Sequence, residues 1–287
     1  WSLIITLICY LILLLGKYQI LDKMIKIIIL ILAVSTLFST GVASINSEEA
    51  YSLKQIFPTG SGLVFLVAFM GWMPAPLDIS IWHSIWTLEK KKNQKITPKE
   101  SLFDFNVGYF ATVILGICFV SLGALVMFNS GISFSNSGSV FANQLIELYT
   151  SNLGDSFYLI ISICAFTTML STTITCLDAS PRTMSRATQL LTKNNNTSYY
   201  FQWISALAVG TMLIFYFLLS EMGALVELAT ILSFITAPFY AILNYKLIIS
   251  KNMPESHKPS KPLRILSVIG ILFLSLFALG YILTRFI

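Results

Sequence analysis

The stretch "VAFMGWMPAPLDISIWHSIW", residues 67–86, decides how this chain is read. It lies inside an apolar run from 61 to 88, too long for one straight membrane crossing at about 1.5 Å per residue. Pro74 has no N–H to give the carbonyl of Met70, and Pro76 has none for the carbonyl of Trp72. Met73 and Ala75, which precede the two prolines, are pushed out of the α region. Two neighbouring main-chain acceptors are thereby released beside Gly71, in the middle of an apolar segment. Hydrocarbon cannot satisfy them, so the break has to face protein, water or a ligand. A kink healed by a nearby Ser or Thr is one reading. The other, which a doubled proline with a flanking glycine favours, is the discontinuous helix of a secondary transporter, whose unwound carbonyls hold cations. Met73 sits within the break, where its thioether is either a gap-filling side chain or a soft ligand suited to transition metals.

The rest of the chain agrees with a membrane setting. Of its 287 residues 56% are hydrophobic and 11% charged, against about 25% charged in soluble domains. Its apolar stretches are unbroken rather than alternating, which makes the expected fold an all-α integral membrane protein and not a barrel. Eight spans are expected, at about 1–16, 24–45, 61–88, 106–129, 156–179, 200–219, 223–245 and 264–286. The loops at 17–26, 89–105, 180–199 and 246–264 hold all but two of the 18 basic residues. Lys54 and Arg285 are the exceptions. By the positive-inside rule those loops are cytoplasmic and the protein is multi-pass in the plasma or bacterial inner membrane. The net charge of +5 is then a topological signal; the basic loops are short and lack interleaved aromatics, so no nucleic-acid partner is expected. Trp1 already lies in an apolar run, and the expectation is a single transmembrane domain over 1–287 that begins on the outer side, with an odd number of spans upstream. The cysteines at 9, 118, 164 and 176 lie in apolar runs and read as packing residues.

Ionisable groups at membrane depth are functional candidates by default. Asp78 follows the break within two turns, close enough to join a cation site or to pair with a neighbouring helix. His83 reads as an interfacial residue beside Trp82 and Trp86, with a proton relay as the alternative. In the fifth span Ser171 and Thr175 share a face and form a candidate cation or proton pathway, although hydroxyls in such helices commonly bond back to their own backbone. Asp178 and Arg182 are spaced as an i, i+4 structural pair. Thr230, Ser233 and Thr236 precede Pro238 in the seventh span, and Asn244 reads as an interhelical hydrogen bonder. Two N-x-[ST] sequons at 195–198 fall in a loop assigned to the cytoplasm, which argues against glycosylation.

The segment Met70-Gly71-Trp72-Met73-Pro74-Ala75 resembles the broken sixth helix of the Nramp divalent metal transporters, in a divergent bacterial branch, where the family has Ala-x-x-Met-Pro-His. A second stretch, "STTIT" at 171–175, resembles the family's Ser-Ser-Thr-Ile-Thr. The resemblance implies helices four to eleven of an eleven-helix, LeuT-like inverted-repeat fold. It also implies a metal site formed by the Met73 sulfur and the Met70 carbonyl, with the Trp72 carbonyl, Asp78 and Thr230 as further candidates. The metal would be substrate, the bilayer the surrounding partner and protons the coupling ion, with no resident cofactor and no enzymatic activity. Two departures stand out. Ala75 replaces the family's histidine, which carries its proton-linked role, and the family's Asp-Pro-Gly-Asn helix does not occur in this sequence.

The leading expectation is therefore alternating-access transport of a divalent cation of the Mn²⁺/Fe²⁺ class, with Mg²⁺ as the harder alternative. The same-fold rival is a Na⁺-coupled transporter of a small organic substrate. The rival of another class is a non-transporting membrane scaffold.

Overall fold

The computed structural model describes residues 2–15, 18–46, 56–72, 76–93, 95–128, 135, 137–194 and 196–283. Among them every regular element is a helix: α1 (Ser2–Leu14), α2 (Tyr18–Asn46), α3 (Ser61–Trp72), α4 (Ile79–Asn93), α5 (Pro98–Leu122), α6 (Gly138–Leu153), α7 (Tyr158–Thr192), α8 (Tyr200–Phe217), α9 (Met222–Ile248) and α10 (Lys261–Leu283). Among the described residues five helical stretches are long and apolar enough to cross a membrane: Pro98–Val126, Asp155–Thr192, Tyr200–Phe217, Met222–Ile248 and Lys261–Leu283. Shorter apolar helices at Ser2–Leu14, Ile29–Ile45 and Gly62–Trp72 lie in the other three expected spans. Large apolar side chains cover the outside, for example Phe110, Leu159 and Leu276. This is an all-α membrane protein.

Local chemistry sets several helix ends. Thr97 caps α5, accepting from the Glu100 N–H at 3.3 Å while Glu100 accepts from the Thr97 N–H at 2.8 Å, and Pro98 occupies the first turn, where its missing N–H costs nothing. The far end of α5 continues into a π turn, Gly123–Met127. A short 3₁₀ turn, Leu219–Glu221, leads directly into α9, close to the tight turn expected around Glu221-Met222-Gly223.

Two parts of the reading are corrected. The segment between the fourth and fifth expected spans contains α6, which hydropathy overlooks because Asn143, Gln144, Glu147 and Thr150 interrupt its apolar residues. The expected loop at 180–199 is largely helix, since α7 runs through Pro181 to Thr192. Pro181 removes only the bond to the Leu177 carbonyl. Polar links hold the extension: the Tyr199 N–H donates to Ser185 Oγ at 3.1 Å, and Trp203 Nε1 donates to Thr188 Oγ1 at 3.0 Å.

The chain divides into two compact units, 1–52 with 81–223, and 53–80 with 224–287. In the first, Cys9, Ile174 and Leu177 pack α1 against α7 with Leu207 of α8, and Tyr10 and Ser205 hydroxyls join α1 to α8 at 2.8 Å. A second cluster, Ala43, Leu122 and Val126, joins α2 to the end of α5, with Tyr149 of α6 against it. The other unit is built on Val67, Phe234, Ala278 and Tyr281, which bring α3, α9 and α10 together. The Phe234 and Phe277 rings meet edge to face at 5.7 Å. In a bilayer such clusters cohere by close packing and interhelical hydrogen bonds more than by expulsion of water.

Candidate functional site

The interrupted helix is organised by α9. α3 ends at Trp72 and α4 begins at Ile79; Met73, Pro74 and Ala75 lie outside the described residues. On the α3 side, Gly71 is buried against the Thr230 backbone. A Cβ placed on it would intrude on the Thr230 carbonyl oxygen and lie 2.9 Å from the carbonyl carbon and 3.3 Å from Phe234 Cβ. Only glycine permits that approach. One residue on, Trp72 Nε1 donates to Ser233 Oγ at 3.2 Å. On the α4 side, Asn244 Nδ2 donates to Ser80 Oγ at 2.9 Å, and that hydroxyl donates to the Leu77 carbonyl at 2.7 Å. From Thr230 to Asn244, α9 spans about 21 Å at its rise per residue, and it is bonded to the chain on both sides of the interruption.

The placement of the candidates follows. Met70 packs at the edge of the Val67–Phe234 cluster. Pro76 opens the turn into α4, its carbonyl accepting from the Ile79 N–H at 3.2 Å. Asp78 immediately precedes the first residue of α4, the N-cap position, a role for which aspartate is among the preferred residues. Thr230 is buried, and its hydroxyl donates back to the carbonyls of Val226 at 2.8 Å and Glu227 at 2.9 Å, so only its lone pairs remain for other use. Pro238, within α9, leaves the Phe234 carbonyl without its helical N–H. Met70, Gly71, Trp72, Asp78 and Thr230 therefore belong to one unit.

Ser171, Thr175 and His83 belong to the other unit. Ser171 and Thr175 are half-buried on α7. Their neighbours Thr167, Thr172 and Thr173 donate to the carbonyls of Ile163, Thr168 and Met169 at 2.7, 3.0 and 2.9 Å, the self-bonding expected of helical hydroxyls. His83 is exposed, with its ring edge to face with Phe105 at 5.5 Å.

Among the described residues of this unit, a cluster of polar groups surrounds Asp178, which is 1% exposed. Arg182 Nε donates to both carboxylate oxygens at 2.8 and 2.9 Å, the Tyr200 hydroxyl donates at 3.0 Å and Trp86 Nε1 donates at 3.0 Å. The Arg182 guanidinium lies over the Tyr200 ring at 5.1 Å and 3.8 Å from Glu89. Spacing exposed the Asp178–Arg182 pair; nothing in the sequence linked Trp86, Glu89 or Tyr200 to it.

The family profile described as natural resistance-associated macrophage protein-like matches residues 1–284. The chain belongs to the Nramp family. It is also 34% identical over 278 residues to an uncharacterised protein of Pasteurella multocida, covering 94% of this chain and 63% of that relative. No solved structure matches. Of the two family-like motifs, the Met70-Gly71-Trp72 part of the first ends α3 against α9, and the second, 171–175, lies on α7 with Ile174 in the α1–α7 core.

Proposed function

We propose that this chain forms most of the helical body of a secondary transporter that moves divalent metal cations across the cytoplasmic membrane by alternating access. Membership of the Nramp family carries this reading, and the interruption between α3 and α4 supports putting the site there. The substrate site lies where α3 gives way to α4. Its ligands are the Met73 sulfur and the Met70 carbonyl, with the Trp72 carbonyl, the Thr230 lone pairs and the Asp78 charge as contributors nearby. A thioether among oxygen ligands selects for softer first-row ions over Mg²⁺, which argues for Mn²⁺ or Fe²⁺ as cargo. The basic ends of the helices face the cytoplasm. The helices follow the order of an inverted-repeat transporter, in which a broken helix carries the site at mid-membrane.

The test is Mn²⁺ uptake by the full-length protein in proteoliposomes. Met73→Ala should lower uptake at least tenfold at limiting Mn²⁺, with protein yield and dispersity unchanged. Equal uptake by the two proteins would sink the ligand assignment. Sodium-dependent uptake of an organic solute with no metal transport would favour the rival.

A further inference from the structure

Five lysines fall within residues 90–99, where α4 ends and α5 begins: Lys90, Lys91, Lys92, Lys95 and Lys99. Like charges this close repel one another, and the acidic residues next to them are engaged elsewhere. The Glu100 carboxylate accepts from the N–H and the hydroxyl of Thr97 at 2.8 and 2.9 Å. Glu89 lies 3.8 Å from Arg182, and Asp104 is within electrostatic reach of His83. Among the described residues, Lys90, Lys91, Lys95 and Lys99 form no ion pair. The basic loop at 246–264 differs. Its five basic residues are spread over nearly twice the length, Lys258 is paired with Glu255, and Arg264 donates to the Pro259 carbonyl at 3.0 Å.

The lysines also stand at a defined depth. Lys91 comes three residues after Leu88 on α4, and Lys99 comes three before Leu102 and four before Phe103 on α5. Those spacings place each lysine on the same helix face as its apolar neighbour. Leu88, Leu102 and Phe103 are all exposed. Each lysine therefore extends an apolar outer face by one turn, about 5 Å, and Lys95 lies in the connection between the two helices. An apolar surface that ends in ammonium groups without carboxylate partners meets the bilayer where hydrocarbon gives way to headgroups. Lysine stems lie along the former and their charges reach the phosphates of the latter.

We infer that residues 90–99 form a seat for the headgroup of an anionic phospholipid, with its phosphate held by Lys91, Lys95 and Lys99. The bound anion relieves the repulsion among the lysines. A zwitterionic lipid carries its own ammonium group, which the same lysines repel, and is held less firmly. The inference rests on the membrane fold and does not depend on which solute is carried.

The test titrates the detergent-purified full-length protein with phosphatidylglycerol or phosphatidylcholine and reads, by native mass spectrometry, the dissociation constant of the first lipid bound. A lysine close to an anionic membrane surface is worth roughly fivefold in affinity. Replacing the three together, Lys91→Gln with Lys95→Gln and Lys99→Gln, should weaken the first phosphatidylglycerol by at least about tenfold and leave phosphatidylcholine within about twofold. Lys246→Gln with Lys251→Gln and Lys261→Gln removes the same charge from the other loop, and should leave both lipids within about twofold. A loss in the first triple variant no larger than in the second overturns the inference. Displacement of the phosphatidylglycerol by an excess of inorganic phosphate also overturns it, because the seat would then be one for free anions. Should the first triple variant not fold, Lys95→Gln alone is read in the same way. It lies outside both helices, a weakening of roughly fivefold is expected, and unchanged binding overturns the inference equally.

Discussion

Replacing Gly71 with alanine puts the organisation of the interrupted helix to its most direct test. The added methyl would intrude on the Thr230 carbonyl oxygen and crowd the carbonyl carbon at 2.9 Å and Phe234 Cβ at 3.3 Å. The obstacle is backbone in the interior of α9, which cannot rotate aside as a flexible side chain could. α3 must therefore shift, and overpacking of this kind costs about 1–3 kcal/mol. The shift also pulls Trp72 away from Ser233, 3.2 Å distant, a bond worth about 1 kcal/mol. Alanine's better helix propensity returns up to ~1 kcal/mol in a helix interior, and less here, one residue from the end of α3. The net loss is about 2 kcal/mol. Gly270→Ala is the control, because a Cβ there meets nothing within 4 Å; it should be neutral or stabilising by ~0.5–1 kcal/mol. Both variants are compared by thermal unfolding of the detergent-purified full-length protein. The reasoning fails if Gly71→Ala unfolds with the wild type, or if the two alanine variants behave alike.

Two further perturbations probe the polar links. Asp178→Asn should destabilise the protein by about 3 kcal/mol, the lower end for breaking a buried pair, because Arg182 is only partly buried; thermal unfolding within a degree of wild type would contradict this. Ser80→Ala and Asn244→Ala should each lower stability, and a double-mutant cycle should return a coupling of about 1 kcal/mol for their 2.9 Å bond; purely additive losses would mean α4 is not joined to α9 through that pair.

What the sequence made legible was what rests on local chemistry. Long apolar runs locate helices because hydrocarbon demands internally bonded backbone. The two prolines identify the region between α3 and α4 because each lacks an N–H, and Asn244 reads as an interhelical donor because an amide at that depth needs a partner. α6 was overlooked because its stability comes from packing Tyr149 and its neighbours against α2 and α5, not from hydropathy. The extension of α7 past Pro181 escaped notice for a similar reason: Tyr199 and Trp203 hold it from the next helix. Gly71 was legible as a breaker of helix but not as the seat of Thr230, since a close approach between residues 159 positions apart leaves no trace in spacing.

The distribution of charge bears on what kind of metal site this chain can offer. Among the described residues no group of three or more His, Cys, Asp or Glu side chains is placed to hold a metal ion. The most buried carboxylate among the described residues, Asp178, already accepts from Arg182, Tyr200 and Trp86, so its lone pairs serve helix packing. The groups gathered around the interruption are of another kind: main-chain carbonyls released by proline, a hydroxyl with spare lone pairs at Thr230, and Asp78 at the start of α4. Neutral oxygen and sulfur donors with at most one carboxylate hold a divalent ion less firmly than a cage of several charged ligands does. A transporter needs the former, since an ion bound too firmly on one side is not delivered to the other. If the proposed site holds the ion, Thr230→Asp, which adds a fixed charge at the residue whose carbonyl meets Gly71, should tighten Mn²⁺ binding and slow its uptake, measured by calorimetry and by proteoliposome flux of the full-length protein.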